Sequence, residues 1–291
     1  MRHCFTMSSL LLLLLLLAGM ACSLQAEEAV VFKAQSRLVV DGQETLQRVK
    51  TSWVGKETAL VICDMWAKHW CDSATRRVGE MAPRMNQLAE ALRERGVLVI
   101  HCPSSGVKFY QDTPMRKLAQ MAPAVKTTIP LQSWCALDEK RERPLPIDDS
   151  DEGCDCQPRC STGSRMDLHQ IAVIKIKEGD AVTDSAEAYY LMRQRGIKNV
   201  IIVGVHTNMC VLGRPFSIRQ MVYQGQNVAL VRDMTDTMYN PRSRPFVPHT
   251  QGTDLVIEHI ERHWCPTFSS KDILGGRTFH FSDQKRASSS P

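Results

Sequence analysis

Three residues of complementary chemistry stand at or just beyond apolar runs of the chain: Asp64 after Ala59–Cys63, Lys177 after Ile171–Ile176, and Cys210 shortly after Val200–Val205. A thiol is a weak nucleophile until it becomes a thiolate. A carboxylate can take its proton, an ammonium can hold the resulting charge, and a helix N-terminus favours the anion, so the set has what a cysteine nucleophile requires. Each member alone has a plainer use. Cys210 would serve as a small buried apolar residue, Asp64 as a helix N-cap and Lys177 as an exposed strand-end cation. Their common position favours chemistry, because functional groups of open parallel sheets gather just past the carboxyl ends of strands.

The elements that must position these residues read as alternating strands and helices. Ala59–Cys63 and Val97–Ile100 are continuous apolar runs separated by helical spacing over Arg76–Arg95. The pattern returns as Ile171–Ile176, a helix to Arg195 closed by Gly196, Val200–Val205, a helix over Asn208–Gln224, Val228–Val231, and an amphipathic helix over Thr253–His263. Runs apolar on both faces, alternating with helices, predict an α/β fold: a parallel sheet flanked by helices on both faces, a Rossmann-type three-layer arrangement. Ahead of it, Ala29–Val40 and Gln43–Trp53 flank Asp41-Gly42, a strong β-hairpin turn signal. Residues 126–170 are rich in Pro, Gly, Cys and charge and weak in periodicity, which marks an insertion. The division expected is 1–26 leader, 27–57 hairpin extension, 58–268 main domain carrying that insertion, and 269–291 tail.

The leader reads as a secretory signal peptide: Arg2 and His3, the unbroken run Leu10–Leu17, then small residues with cleavage sites after Ala21 or Ala26. A secreted or periplasmic protein is expected, with lipoprotein anchoring at Cys22 less favoured because Met20 suits that motif poorly. The run is too short to remain as a membrane span, and none is expected elsewhere. Of the 291 residues 43% are apolar and 23% charged, a globular composition that excludes a mainly disordered chain. The net charge of +5 is spread without blocks, so no nucleic-acid partner is indicated.

Gly204-Val205-His206-Thr207-Asn208-Met209-Cys210-Val211 resembles the nucleophile signature of the isochorismatase-like cysteine hydrolases, in which an apolar strand runs into Gly-Val-x-Thr-x-x-Cys-Val. Val61-Ile62-Cys63-Asp64-Met65 is similar to that family's first catalytic segment, and Arg195-Gly196-Ile197 stands where its members commonly carry the same tripeptide. The resemblance covers about Thr58–Asp233. It implies Asp64 as proton acceptor and donor, a lysine holding the anions, and Cys210 as nucleophile toward an amide carbonyl, through a thioester. It also implies a non-proline cis peptide before His206, which turns the His206 and Cys210 N–H groups toward an oxyanion. The lysine is Lys177, with Lys175 on the same strand face as its substitute.

Departures from the pattern shape the remaining expectations. Ile100-His101-Cys102-Pro103-Ser104-Ser105 lacks the Asp-x-His metal cluster of the nicotinamidases, so neither a metal nor a cofactor is expected, and isolated His69 and His101 are read as packed. Gly213-Arg214-Pro215-Phe216 replaces the usual helix turn, and Arg214, one turn beyond Cys210, is a candidate for a substrate carboxylate, with Trp66 a further candidate for the pocket wall. A small-molecule substrate and homo-oligomerisation are expected. Two other functions stay open: a non-catalytic binding protein of the same fold, and vinyl-ether hydrolysis, which in the family does not depend on the cysteine. A thiol redox role has little support, since Cys210 has no Cys-x-x-Cys partner.

The chain carries eleven cysteines. Cys135, Cys154, Cys156 and Cys160 fall within the insertion, as either zinc ligands or disulfides, and export favours disulfides, with Cys71 and Cys265 further candidates.

Overall fold

A computed structural model describes residues 28–282; the leader expected at 1–26 lies outside them. At its centre, six parallel strands run in the order β10-β9-β8-β3-β5-β7: Thr267–Phe268, Asn227–Asp236, Asn199–Val205, Thr58–Cys63, Leu98–Cys102 and Ala181–Val182. The hairpin β1 (Ala29–Val40) and β2 (Gln43–Val54), turning at Asp41-Gly42, extends the sheet antiparallel through β10. A separate two-stranded ribbon joins β4 (Trp66–Lys68) to β6 (Asp167–Gln170), the last stretch of the insertion.

Alternation along β3 separates the two cores. Ala59, Val61 and Cys63 face helices α3 (Glu187–Gln194), α4 (Cys210–Gly213), α5 (Ile218–Tyr223) and α6 (His249–His263), packing with Leu191, Val211, Met221 and Ile260. Leu60 and Ile62 face α1 (Asp72–Arg93), whose Met81, Met85, Leu88 and Leu92 are fully buried. A central strand covered on both sides must be apolar at every position, and all six residues of β3 are buried. Two short helices, α2 (Pro114–Gln120) and α7 (Lys271–Leu274), complete the set. Among the described residues no helix is long and apolar enough to cross a membrane.

Three stretches depart from the sequence reading. Ile171–Ile176 forms no strand: it loops back across α1, with Ile171 N–H bonded to Met65 O, Ile174 buried in the α1-side core and Lys175 N–H on Asn86 Oδ1. The edge strand of that unit is the later Ala181–Val182. The helix expected over Asn208–Gln224 is split into α4 and α5, because Pro215 disfavours the helical conformation at Arg214, which is extended (φ −70°, ψ 158°). Residues 269–282 continue the fold through α7 instead of leaving it as a tail, and the rest of the expected tail lies outside the described residues.

Candidate active site

Asp64 and Cys210 meet across neighbouring strands. Asp64 is the first residue past β3, in the left-handed region at φ 48°. Its N–H donates to Cys102 O at 3.0 Å and its carbonyl accepts from Trp66 N–H at 2.8 Å, so the turn holds the carboxylate in the interior. Oδ1 accepts the Ser104 N–H at 2.7 Å. The neighbouring strand β8 ends at Val205, the Val205–His206 peptide is cis, and the chain turns into α4 at Cys210. Met209 and Val211 N–H both donate to His206 O, at 3.0 and 3.2 Å. Below this turn Thr207 Oγ1 meets Thr235 Oγ1 at 2.7 Å, and Asn208 clamps Met238 through both its N–H and its carbonyl.

The Asp64 carboxyl and the Cys210 thiol are close enough to affect each other's ionisation. Burial raises the pKa of Asp64 above the ordinary carboxylate range, while the thiol and Ser104 pull it back. Burial also pushes the Cys210 thiol far up, with the Asp64 charge adding to the effect and Arg214 opposing it. Burial thus disfavours the charged form of both groups. The cation beside them is Arg214. Released from the helix before Pro215, it donates its backbone N–H to Cys210 O at 3.1 Å, brings its guanidinium beside the thiol and within electrostatic reach of Asp64, and lies over the Trp134 ring at 5.6 Å.

Lys177 does not join them. With its predicted strand absent, its N–H bonds Asp180 Oδ2 at 2.7 Å and its half-exposed ammonium pairs with Glu90 at 3.3 Å, on the outside of α1. Lys175 also faces outward, its Nζ on Ala172 O at 2.8 Å. Asp180, the acidic residue near both, is occupied by Arg93 and by buried His101.

One wall of the site is aromatic. Trp66 stacks on His69 with centroids 5.8 Å apart, and His69 meets His206 edge-on at 4.9 Å. Burial holds His69 down to about 4 and His206 well below its usual value, so both rings are neutral at physiological pH. Behind them, fully buried Arg77 bonds Asp236 at 2.7 Å and Asp155 at 2.8 Å, and His249 adds a second bond to Asp236 at 2.9 Å. Asp64 Oδ2, Trp66 Nε1, Ser104 Oγ, His206 Nε2 and Arg214 Nε are all buried without a hydrogen-bond partner of good geometry. Buried polar atoms are nearly always satisfied, so five unpartnered ones on residues of this site mark a place built to receive polar groups. Ser104 and Trp134 escaped the sequence reading. The former acts through a backbone amide and the latter sits in a segment without periodicity.

The nine described cysteines form no disulfide. Cys135 is not with the other insertion cysteines: it is buried against α5, with its thiol on Gln220 Oε1 at 3.3 Å, and Cys71 takes its place in their cluster. Cys265 is buried alone beside β9.

No family model matches the sequence, and no curated protein does. Among solved structures the chain is similar to a cysteine hydrolase from Pseudomonas syringae pv. phaseolicola 1448A, at 15% identity over 82% of this chain and 95% of that one, with a TM-score of 0.47. It is also similar to an isochorismatase from Pseudomonas putida KT2440 (12% identity, 74% and 89% covered, TM-score 0.44) and to N-carbamoylsarcosine amidase from Thermoplasma acidophilum (14% identity, 74% and 96% covered, TM-score 0.39). The solved structures to which the chain is similar are thus of the isochorismatase and cysteine-hydrolase kind.

Proposed function

We propose that the protein is an exported hydrolase that cleaves the C–N bond of a small amide through a thioester on Cys210. The observation that carries this reading is the placement of the Cys210 thiol and the Asp64 carboxyl at the ends of the adjacent strands β8 and β3, near enough to perturb each other's ionisation, with Arg214 beside the thiol. The resemblance of Gly204–Val211 to a cysteine-hydrolase signature supports it. Export rests on the leader sequence alone.

With Asp64 ionised, the thiol gives its proton to the carboxylate as sulfur attacks the carbonyl carbon. A C–S bond forms and the oxygen becomes an anion, received by the N–H groups of His206 and Cys210. Such donors stabilise charge where it develops, and losing one costs about 10²–10³ in rate. As the C–N bond breaks, Asp64 passes the proton to the departing ammonia or amine. Water then gives a proton to Asp64 and attacks the thioester, the C–S bond breaks, and the proton returns to sulfur. In this scheme Arg214 replaces Lys177 as the electrostatic partner, holding the anion that alternates between thiolate and carboxylate. The neutral Trp66–His69–His206 wall and the unpartnered polar atoms fit an uncharged, hydrogen-bonding amide.

A panel of small amides with ammonia or amine detection tests the reading. The wild-type chain is expected to turn over at least one member, and Cys210→Ala to lose turnover by about 10³-fold or more. Full turnover in Cys210→Ala would overturn the thioester route.

A further inference from the structure

Four cysteines that the hydrolytic scheme does not use converge at the start of α1. Cys71 immediately precedes the helix, and Cys154, Cys156 and Cys160 arrive from the insertion. The Cys71, Cys154 and Cys156 sulfurs all lie within 4.8 Å of one another, with Cys71 and Cys156 3.8 Å apart. The Cys160 sulfur stands beside this group, outside the 4.8 Å set, at the first turn of the same helix. Two amides at the open end of the helix point at the cluster: Asp72 N–H donates to Cys160 Sγ at 3.5 Å and Ser73 N–H to Cys156 Sγ at 3.3 Å. The Ser73 hydroxyl is 3.1 Å from the same Cys156 sulfur.

A disulfide would bring two sulfurs to about 2.0 Å. A tetrahedron of sulfurs around a metal at about 2.3 Å has edges of about 3.8 Å, the separation that Cys71 and Cys156 adopt. Two disulfides would also leave the first-turn amides without anions to receive, whereas thiolates accept N–H bonds and are favoured by the positive end of a 22-residue helix. Three ligands spaced Cys-x-Cys-x₃-Cys on one loop and a fourth at a helix start, 83 residues from the nearest of them, would bind two distant parts of the chain together.

We propose that Cys71, Cys154, Cys156 and Cys160 hold one zinc ion as four thiolates. Four S–H protons leave to solvent, four Zn–S bonds form and no electron moves. Four soft ligands in a closed tetrahedron select zinc against magnesium or calcium and leave no position open for catalysis, so the role is structural. What the ion fixes is the segment from Asp64 to Cys71, since the Cys71 N–H donates to His69 Nδ1 at 3.1 Å and His69 carries the aromatic wall. The site stands apart from the hydrolase reading and would exist in a non-catalytic protein as well.

The test begins with the full chain, purified without added metal or reductant. Elemental analysis is expected to find one zinc per chain, released together with four titratable thiols when a mercurial reagent displaces it. Cobalt exchanged into the site should give the intense sulfur-to-metal charge-transfer absorption of a tetrahedral tetrathiolate. Replacing Cys154 and Cys156 together by Ser should take zinc to near zero and remove that band. A metal-free wild-type chain with the four cysteines mapped into disulfides overturns the proposal, as does zinc that survives the double substitution. Should that variant fail to fold, the wild type alone decides: zinc released with fewer than four thiols, or cobalt without the charge-transfer band, is equally fatal.

Discussion

At the residue scale, the cation beside Cys210 separates two accounts of the site. Arg214 stands beside the thiol and near enough to Asp64 for their charges to interact, whereas the Lys177 ammonium pairs with Glu90 on the far side of α1. Arg214→Gln is therefore expected to lower kcat/KM by about 10²-fold, the scale of losing one preorganised charge contact, while Lys177→Ala leaves it within about twofold. Steady-state kinetics on the best amide of the panel checks both; the reverse ordering would return the lysine to the mechanism. The pH profile follows from burial. Asp64 must be ionised to accept the proton and its pKa is raised, so activity should climb with pH through a limb lying above the ordinary carboxylate value of about 4. A limb at or below that value in a kcat/KM profile would mean that another group sets it. Asp64 and Cys210 were legible because strand ends can be read from apolar runs. Lys177 was misplaced because Ile171–Ile176 mimics a buried strand while its isoleucines serve a loop that packs on α1.

At the scale of elements, the insertion was legible as irregular and its anchorage was not. Glu142 within it is buried, with Oε2 receiving His259 Nε2 and Trp264 Nε1, each at 2.8 Å, and Oε1 paired with Arg219 at 2.8 Å. These partners come from α5, α6 and the turn that follows, separated by up to 122 residues, and no local pattern reports such a meeting. Together they hold the Glu142 carboxyl down to about 2 against the opposing effect of burial. A carboxylate with a depressed folded pKa contributes stability above its unfolded value of about 4.3 and loses it as pH falls toward the folded one. Glu142→Gln should thus destabilise the chain at pH 7 by about 3–5 kcal/mol, as breaking a buried pair does, and should flatten the fall in stability between about pH 4 and pH 2. Urea unfolding at a series of pH values reads both effects. The broken helix after Cys210 has a simpler lesson: apolar spacing continues across Pro215, and the proline decides.

At the scale of the whole molecule, the N-terminal hairpin is an edge of the sheet and also part of its core. Val30, Phe32 and Ala34 are buried with the α1-side residues, and Phe32 stacks on Phe268 of β10 at 4.3 Å and meets Trp53 edge-on at 4.9 Å. The turn at Asp41-Gly42 announced the hairpin, but its docking depended on β10, a two-residue strand too short to read from sequence. If the hairpin is integral, Phe32→Ala costs about 3–5 kcal/mol in a single cooperative unfolding transition; a separate early transition would make it an appendage.

Gly204 shows how little room the site leaves. It lies on β8 at φ +107°, opposite Cys63 on β3, and a β-carbon built there would stand 2.0 Å from the Cys63 carbonyl oxygen. The two strands that it keeps together end, within a few residues, in Asp64 and Cys210. Any methyl at this position would wedge them apart just before they deliver the carboxyl and the thiol. The distance between carboxyl and thiol is thus set by a hydrogen atom remote from both, and position 204 is closed to every side chain by the carbonyl it would strike.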